Sequence, residues 1–584
     1  MSYTVVEDFR LGLDRRRKRI VAPLGSLWNI VNAHITRGGE IERAKKFVST
    51  YALPAGQTFG YAILAGEHYV FGSGPTPTMP SGVNYQRLQH PDGTTAIARV
   101  VDVQPNDGKL YTVAEFTDGN LFHFYDGSIV KDWYAGRVAS WMADMNGVAA
   151  HMADLFAGDT EYSAVAAGTV VTITGPVNEA FTVAVNHTNG GNYNDETIAT
   201  ATTQSATASL PQISTVTLGG TFDPGDTFTI KLTKSSVVKS FGADANPGEP
   251  VADVLLTFKS KMHAAGGSLV NFSGVNTPTR FNRDSTAVIG EGFINASTQD
   301  EGAQDVTALS IYQGQLAIFA EQSIQIWQIG TDPANNAYLS SLPGTGTTAR
   351  RSVLSFGNND SFYLDFSGVR SLRARDSSNA AYVSDVGTAI DPFIRAWMKE
   401  VGDEVSDAAV AVIEPEDGRY LLAIGERIFV FSFFPGSKIS AWSYYEPGFT
   451  VSDFARTRDK LYARAGDTIY LYGGADGDTY PGDDEQVVTV ELPFIGKRKP
   501  ASEANWDVMS AAVTNEWHVY VLPDPNDESA EIDAGVFSNV SFHLARNEVG
   551  TISTHVAARM TCRKAGAATL SALVFNFQDA RETR

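Results

Sequence analysis

Residues 407–473 hold the same strand pattern written twice, and this repetition limits the folds open to the chain. The first copy sets a short apolar run, a turn at Glu416-Asp417-Gly418, a strand at 420–424, a turn at Gly425-Glu426, a strand at 428–433 and an exit strand around Trp442. The second turns at Arg458-Asp459 and Gly466-Asp467 between strands at 461–464 and 468–472. Each reads as an antiparallel meander of short strands joined by tight polar turns. Further copies lie at 99–133, with turns at Asn106-Asp107-Gly108, Asp118-Gly119 and Asp126-Gly127, and at 306–329, 353–383 and, more weakly, 58–71. A meander of this size cannot bury both of its faces alone. The repeats therefore predict a mainly β chain with a β-propeller of about six blades.

The 584 residues exceed what one hydrophobic core serves, and a hydrophobic fraction of 43% is ample for several. A formal net charge of -21 argues against a surface that holds nucleic acid by neutralising phosphates. Cys562 is the single cysteine, which excludes an internal disulfide and a cysteine-based zinc site and reads as a buried strand residue. No stretch reaches the roughly 20 apolar residues of a membrane helix, and the first residues lack the apolar core of a signal peptide. The expectation is a soluble protein made in the cytoplasm, with no membrane insertion by this chain.

Composition shifts divide the chain. Residues 1–60 form a segment leading into the propeller, 61–136 its first part, 137–265 an insertion, 266–486 the remainder, and 487–584 a C-terminal β-sandwich with a few longer strands and no blade pattern. Within the insertion, 162–234 is rich in Thr, Val, Ala and Gly and alternates in short runs, which predicts a small β-sandwich. Helices are expected on either side of it, over 137–157, whose apolar residues recur at helical spacing, and over 250–262. A short amphipathic helix is expected around 390–398.

Catalytic spacing is missing. The chain has no phosphate-binding Gly-rich loop ending in Lys-Ser or Lys-Thr, no His-Glu-x-x-His and no Gly-x-Ser-x-Gly, and its ten histidines are scattered singly. The acidic run with Asp476, Asp478, Asp483, Asp484 and Glu485 has the residue type that calcium prefers, but not EF-hand spacing, and a solvated loop is its commoner meaning. No catalytic, metal or cofactor site is assigned. A carbohydrate-binding or carbohydrate-cleaving propeller is the alternative function. It would need facing carboxylates and clustered tryptophans, whereas the eight tryptophans here are dispersed.

The first sixty residues carry a sharper pattern: Phe9-x-x-Gly12-Leu13-Asp14-x-Arg16, then Pro23-Leu24-Gly25-Ser26-Leu27-Trp28, then Asn32, then Gly38-Gly39-Glu40-Ile41-Glu42-Arg43. This resembles the N-terminal signature of the tail nozzle proteins of short-tailed bacteriophages, also called tail tubular protein B. The resemblance implies a structural, non-enzymatic virion protein at the tail tip, in a homohexameric ring that forms and gates the last part of the DNA-ejection channel. The ring would dock onto a tail adaptor ring, carry fibres or spikes at its sides, and pass genomic DNA without binding it specifically. It also implies that the opening segment runs beside the propeller and introduces its first blade.

Two long polar loops are the gate candidates, since rigid blades cannot open. They are 331–352, with Asn335, Asn336, Tyr338, Leu342, Gly344 and Gly346, and 474–485, with Asp476, Asp478, Asp483 and Asp484. The basic run Arg15, Arg16, Arg17, Lys18 and Arg19 is the docking candidate.

Overall fold

The computed structural model describes residues 2–90, 93–130, 145–156, 159, 161–188, 197–220, 227–235, 237–244, 252–281, 290–298, 304–357, 359–377, 385–402, 405–496, 503–527, 529–541 and 547–579. The chain is mainly β. Among the described residues, seven groups of three or four strands follow one another: sheet 1 within 61–87, sheet 2 within 97–129, sheet 3 within 254–295, sheet 4 within 306–343, sheet 5 within 354–371, sheet 6 within 410–445, which is continuous with the larger sheet of the two chain ends, and sheet 7 within 453–472. Sheet 1 departs from the expected antiparallel meander, since Val83–Arg87 runs parallel to Glu67–Gly72. Sheet 7 is completed by Phe47–Ala52, which pairs antiparallel with Thr468–Tyr472 and so comes from far earlier in the chain.

Period-two alternation lets one strand serve two cores. In Tyr420–Ile424 the residues Tyr420, Leu422 and Ile424 pack toward sheet 5, where Phe362 lies 5.6 Å ring to ring from Tyr420, while Leu421 and Ala423 pack with Phe47, Leu461 and Ala463 of sheet 7. Sheet 4 behaves likewise: Leu309, Leu316 and Ile318 meet Val254, Val270 and Ile294 of sheet 3, and Ala317, Phe319 and Ile324 meet Tyr363 of sheet 5. Sheet 2 shares a core with sheets 1 and 3 through Phe71, Val113, Leu255 and Met262. Sheets 7 and 1 share Tyr61, Val70, Ile469 and Leu471. Strands buried on both faces explain why these runs read as continuously apolar.

Sheet 3 corrects the expected helix over 250–262. Val254–Phe258 and Lys261–Gly266 are antiparallel strands joined at Lys259 and Ser260, whose φ angles of 50° and 57° are both left-handed. A hairpin turn of that hand usually carries Asn or Gly, so the sequence hides it behind two residues without turn preference. The insertion accordingly ends before 254, ahead of the expected boundary at 265. At its other end α1, Met145–Asp154, confirms part of the expected 137–157 helix, whose residues 137–144 lie outside the described residues. α1 buries Val148, Ala149 and Met152 against Val171, Ile173, Val216 and Phe228 of two sheets, the four-stranded and three-stranded halves of the inserted sandwich. The helix expected around 390–398 forms at Asp391–Val401.

The two chain ends are interleaved. Ser2–Val6 pairs with Thr569–Asp579, Asn29–Val31 with Val488–Glu491, and Ile41–Arg43 with Thr569 and Leu570. The opening segment is thus part of the C-terminal β-structure rather than only a lead into a first blade. Ala504–Leu522 is long enough to serve both layers there: its first part pairs with Thr569–Asp579, its last part with His555–Cys562. The register shift at 506/508 moves the buried positions from even to odd, so that Trp506 and then Met509, Ala511, Val513, Trp517, Val519 and Val521 are all buried. Cys562 lies buried in this core, as expected.

Candidate functional site

The acidic loop 474–485 leaves sheet 7 through Gly473 and Gly474, whose φ angles are 76° and 67°. Gly473 is bound to that hand of backbone and has no room either, since a Cβ would lie 2.6 Å from the Gly477 carbonyl oxygen. The loop is tied at both ends. Lys45 Nζ lies 2.7 Å from Glu416 Oε2 and 3.7 Å from Asp478 Oδ1, and Lys46 Nζ lies 2.5 Å from Glu485 Oε2. Asp483 accepts from the Ala565 backbone N–H at 2.7 Å, and Arg563 reaches Asp484 at 3.3 Å. Between the loop, the sheet 6 turn at Glu414–Glu416 and the sheet 7 turn at Arg458–Lys460 opens a polar cavity of about 790 Å³, lined also by Asp476 and Asp478.

Under this cavity lies a buried ionisable cluster that no motif had marked. Arg419 Nη2 sits 2.6 Å from Asp417 and its Nη1 3.7 Å from Glu414, whose carboxylate also accepts from the backbone N–H groups of Glu416 and Asp417. The Tyr445 hydroxyl is 2.8 Å from His34 Nδ1, and His34 Nε2 is 3.7 Å from Glu42. Burial, with Arg419 nearby, pushes the His34 imidazole down to about 4, while the bond from His34 holds the Glu42 carboxyl below its ordinary value. Burial also raises the phenols of Tyr445 and Tyr472. His34 is therefore neutral at pH 7. The cluster joins the opening segment to sheets 6 and 7, and its members are so far apart in sequence that spacing could not reveal it.

The other gate candidate is corrected by the structure. Of residues 331–352, Ala337–Pro343 is a strand, the fourth of sheet 4, in which Tyr338 pairs with Trp327 and Leu342 with Ile324. Asn335 ends a short 3-10 turn capped by Asp332, and Asn336 accepts from the Gly330 N–H at 2.9 Å. Gly344 is the exposed turn residue, at φ 72°. Gly346 lies against the backbone, where a Cβ would strike the Ala320 carbonyl oxygen, and its neighbour Thr345 is held by Asp365 and Tyr363 at 2.8 and 2.7 Å. This stretch pins sheet 4 to sheet 5 and is not a loose loop. The long polar composition misled because its hydroxyls bond inward.

The basic run also divides. Arg15 stacks its guanidinium 4.0 Å over Trp28 and donates to the Trp28 carbonyl, Arg16 pairs with Asp14 at 2.5 Å, and Arg19 is buried, donating to the Leu492 carbonyl beside Glu491. Arg17 and Lys18 are exposed and make no ion pair among the described residues. Among the described residues the tryptophans are buried or half-buried, so none offers an open stacking platform. No group of three or more His, Cys, Asp and Glu side chains among them is placed to hold a metal ion, and no helix is long and apolar enough to cross a membrane.

No family model and no curated protein sequence matches the chain. Among solved structures, the exo-β-1,3-galactanase of Phanerochaete chrysosporium with galactose is similar over 60% of this chain and 93% of its own length, at 10% identity and a TM-score of 0.19. A TM-score that low carries no argument about this chain.

Proposed function

We propose that this chain is a structural subunit of a short-tailed phage tail nozzle, in which the seven sheets are the blades of a propeller. The alternating cores that each blade shares with the next, and the core between sheets 7 and 1, support a closed ring of blades. Phe47–Ala52 supports it further, because a strand borrowed from one end of the repeat to complete the other ties the first and last blades together.

The observation that carries the nozzle reading is that the signature residues are the ones the interleaved chain ends require. Phe9 is fully buried. Gly12 sits at φ 56° with no space, since a Cβ would lie 2.7 Å from the Trp442 nitrogen. Asn32 donates to the Val487 carbonyl and accepts from the Glu446 N–H, while Glu40 accepts from Ser571. The buried Arg43 guanidinium donates to the carbonyls of Lys564, Gly566 and Glu485. A motif whose residues stitch both ends of the chain to sheet 6 supports this reading.

In the assembled tail the subunits form a homohexamer, docked on the adaptor ring and bearing fibres or spikes. The net charge of -21 repels the DNA backbone over a Debye length of about 8 to 10 Å, so that the genome passes without being retained. The gate falls to 474–485, whose Asp476 and Asp478 stay exposed or line an open cavity, rather than to 331–352. The test is complementation: particles lacking their tail tip, mixed with this protein, should retain their DNA and regain infectivity. Particles that stay leaky and non-infectious would refute the reading.

A further inference from the structure

Near its start the chain exposes an apolar and cationic face. Leu11, Ile20, Val21 and Leu24 are 45%, 37%, 60% and 52% exposed. Leu11 and Leu24 both line one groove of about 280 Å³, together with Glu7, Asp8 and Arg10. Beside them stand Arg17 and Lys18, exposed and without an ion pair among the described residues, in a chain where acids outnumber Lys and Arg by 66 to 45. Their cationic neighbours are already engaged: Arg10 pairs with Asp8 and Arg16 with Asp14, each at 2.5 Å. Unpaired cations beside four exposed apolar side chains mark an interaction surface.

We propose that this face is the contact by which one copy of the chain docks onto the acidic surface of the next. Charge complementarity favours that occupant, because the chain itself carries the opposite charge, at -21 overall. A cationic patch repels its own image, so contact of the patch with itself is disfavoured, and it meets instead a different, acidic face of the next copy, as in a head-to-tail contact. Head-to-tail contacts close into a ring when the rotation allows. The inference rests on the homo-oligomeric reading above and names the surface that makes it.

The experiment is light scattering on the full-length protein over a range of concentration and salt, with the Arg17→Glu/Lys18→Glu variant and, separately, Leu11→Ser/Leu24→Ser. All four side chains are exposed, and thermal melts of wild type and variants check that the fold is kept. The inference expects a wild-type oligomer that loosens as salt rises, and at least a tenfold higher concentration for half-assembly in either variant. Variants that assemble like the wild type would overturn it and leave the ring standing. So would charge-reversed rings that form normally but no longer join a tail-less particle, since the face would then serve another protein. A wild-type protein that stays monomeric throughout would overturn both the inference and the ring.

Discussion

Gly12 shows how a single residue holds the architecture. Its left-handed φ and the Trp442 backbone 2.7 Å from any added Cβ leave only hydrogen in that place. Gly12→Ala should cost on the order of 2–3 kcal/mol, read from urea denaturation, because strain and a backbone clash add. His34 supplies the pH dependence. Its folded pKa of about 4 lies below the unfolded value near 6.5, so the neutral ring contributes stability that is complete above 6.5 and is lost as pH falls toward 4. Between pH 7 and 4.5 the wild type should lose about 2–3 kcal/mol more than His34→Gln, measured by denaturation at both pH values. Equal losses would mean that His34 is not buried neutral. At this scale the sequence was only half legible. Phe9, Gly12 and Arg43 stood out through their pattern, but of the groups around His34 only Glu42 is near in sequence, while Tyr445 and Arg419 lie hundreds of positions away.

Among the elements, legibility followed turn chemistry. Turns such as Asn106-Asp107-Gly108 and Gly466-Asp467 carry residues that accept a left-handed backbone, and the strands they join were readable. Lys259-Ser260 does not, and the first hairpin of sheet 3 was read as a helix over 250–262 because Val254, Leu255 and Phe258 also suit helical spacing. Replacing this pair with Asn-Gly keeps the backbone and should raise stability by about 1 kcal/mol, read as a higher urea midpoint at unchanged slope. A lower midpoint would contradict the turn described here. Composition failed in the same way at 337–343, where Leu339, Ser340, Ser341 and Leu342 lie in the outer strand of sheet 4 yet, with the polar residues around them, resemble a loop. Length of separation hid the pairing of Phe47–Ala52 with sheet 7, since no local pattern announces a strand that pairs with residues more than four hundred positions later.

For the whole molecule, the coarse class and the inserted and terminal β-structures were legible from repeats and composition, while the interleaving of the two ends was not. That interleaving has a consequence for assembly. The opening segment and residues 488–579 form one unit, so a change at Arg17 or Lys18 is borne by a surface that both chain ends stiffen. The loop 474–485 beside the cavity at the sheet 6 and sheet 7 turns is tied to the opening segment by Lys45, through Asp478, and by Lys46, through Glu485. Lys45→Ala/Lys46→Ala should therefore loosen that loop without unfolding the sheets, seen as faster amide hydrogen exchange confined to 474–485. Exchange unchanged there would show that the two lysines do not hold it. The most direct measurement is electron microscopy of the purified protein, alone and mixed with particles lacking the tail tip. The account predicts a six-fold ring with a central channel that completes the tail; a compact monomer that ignores the particle would contradict it.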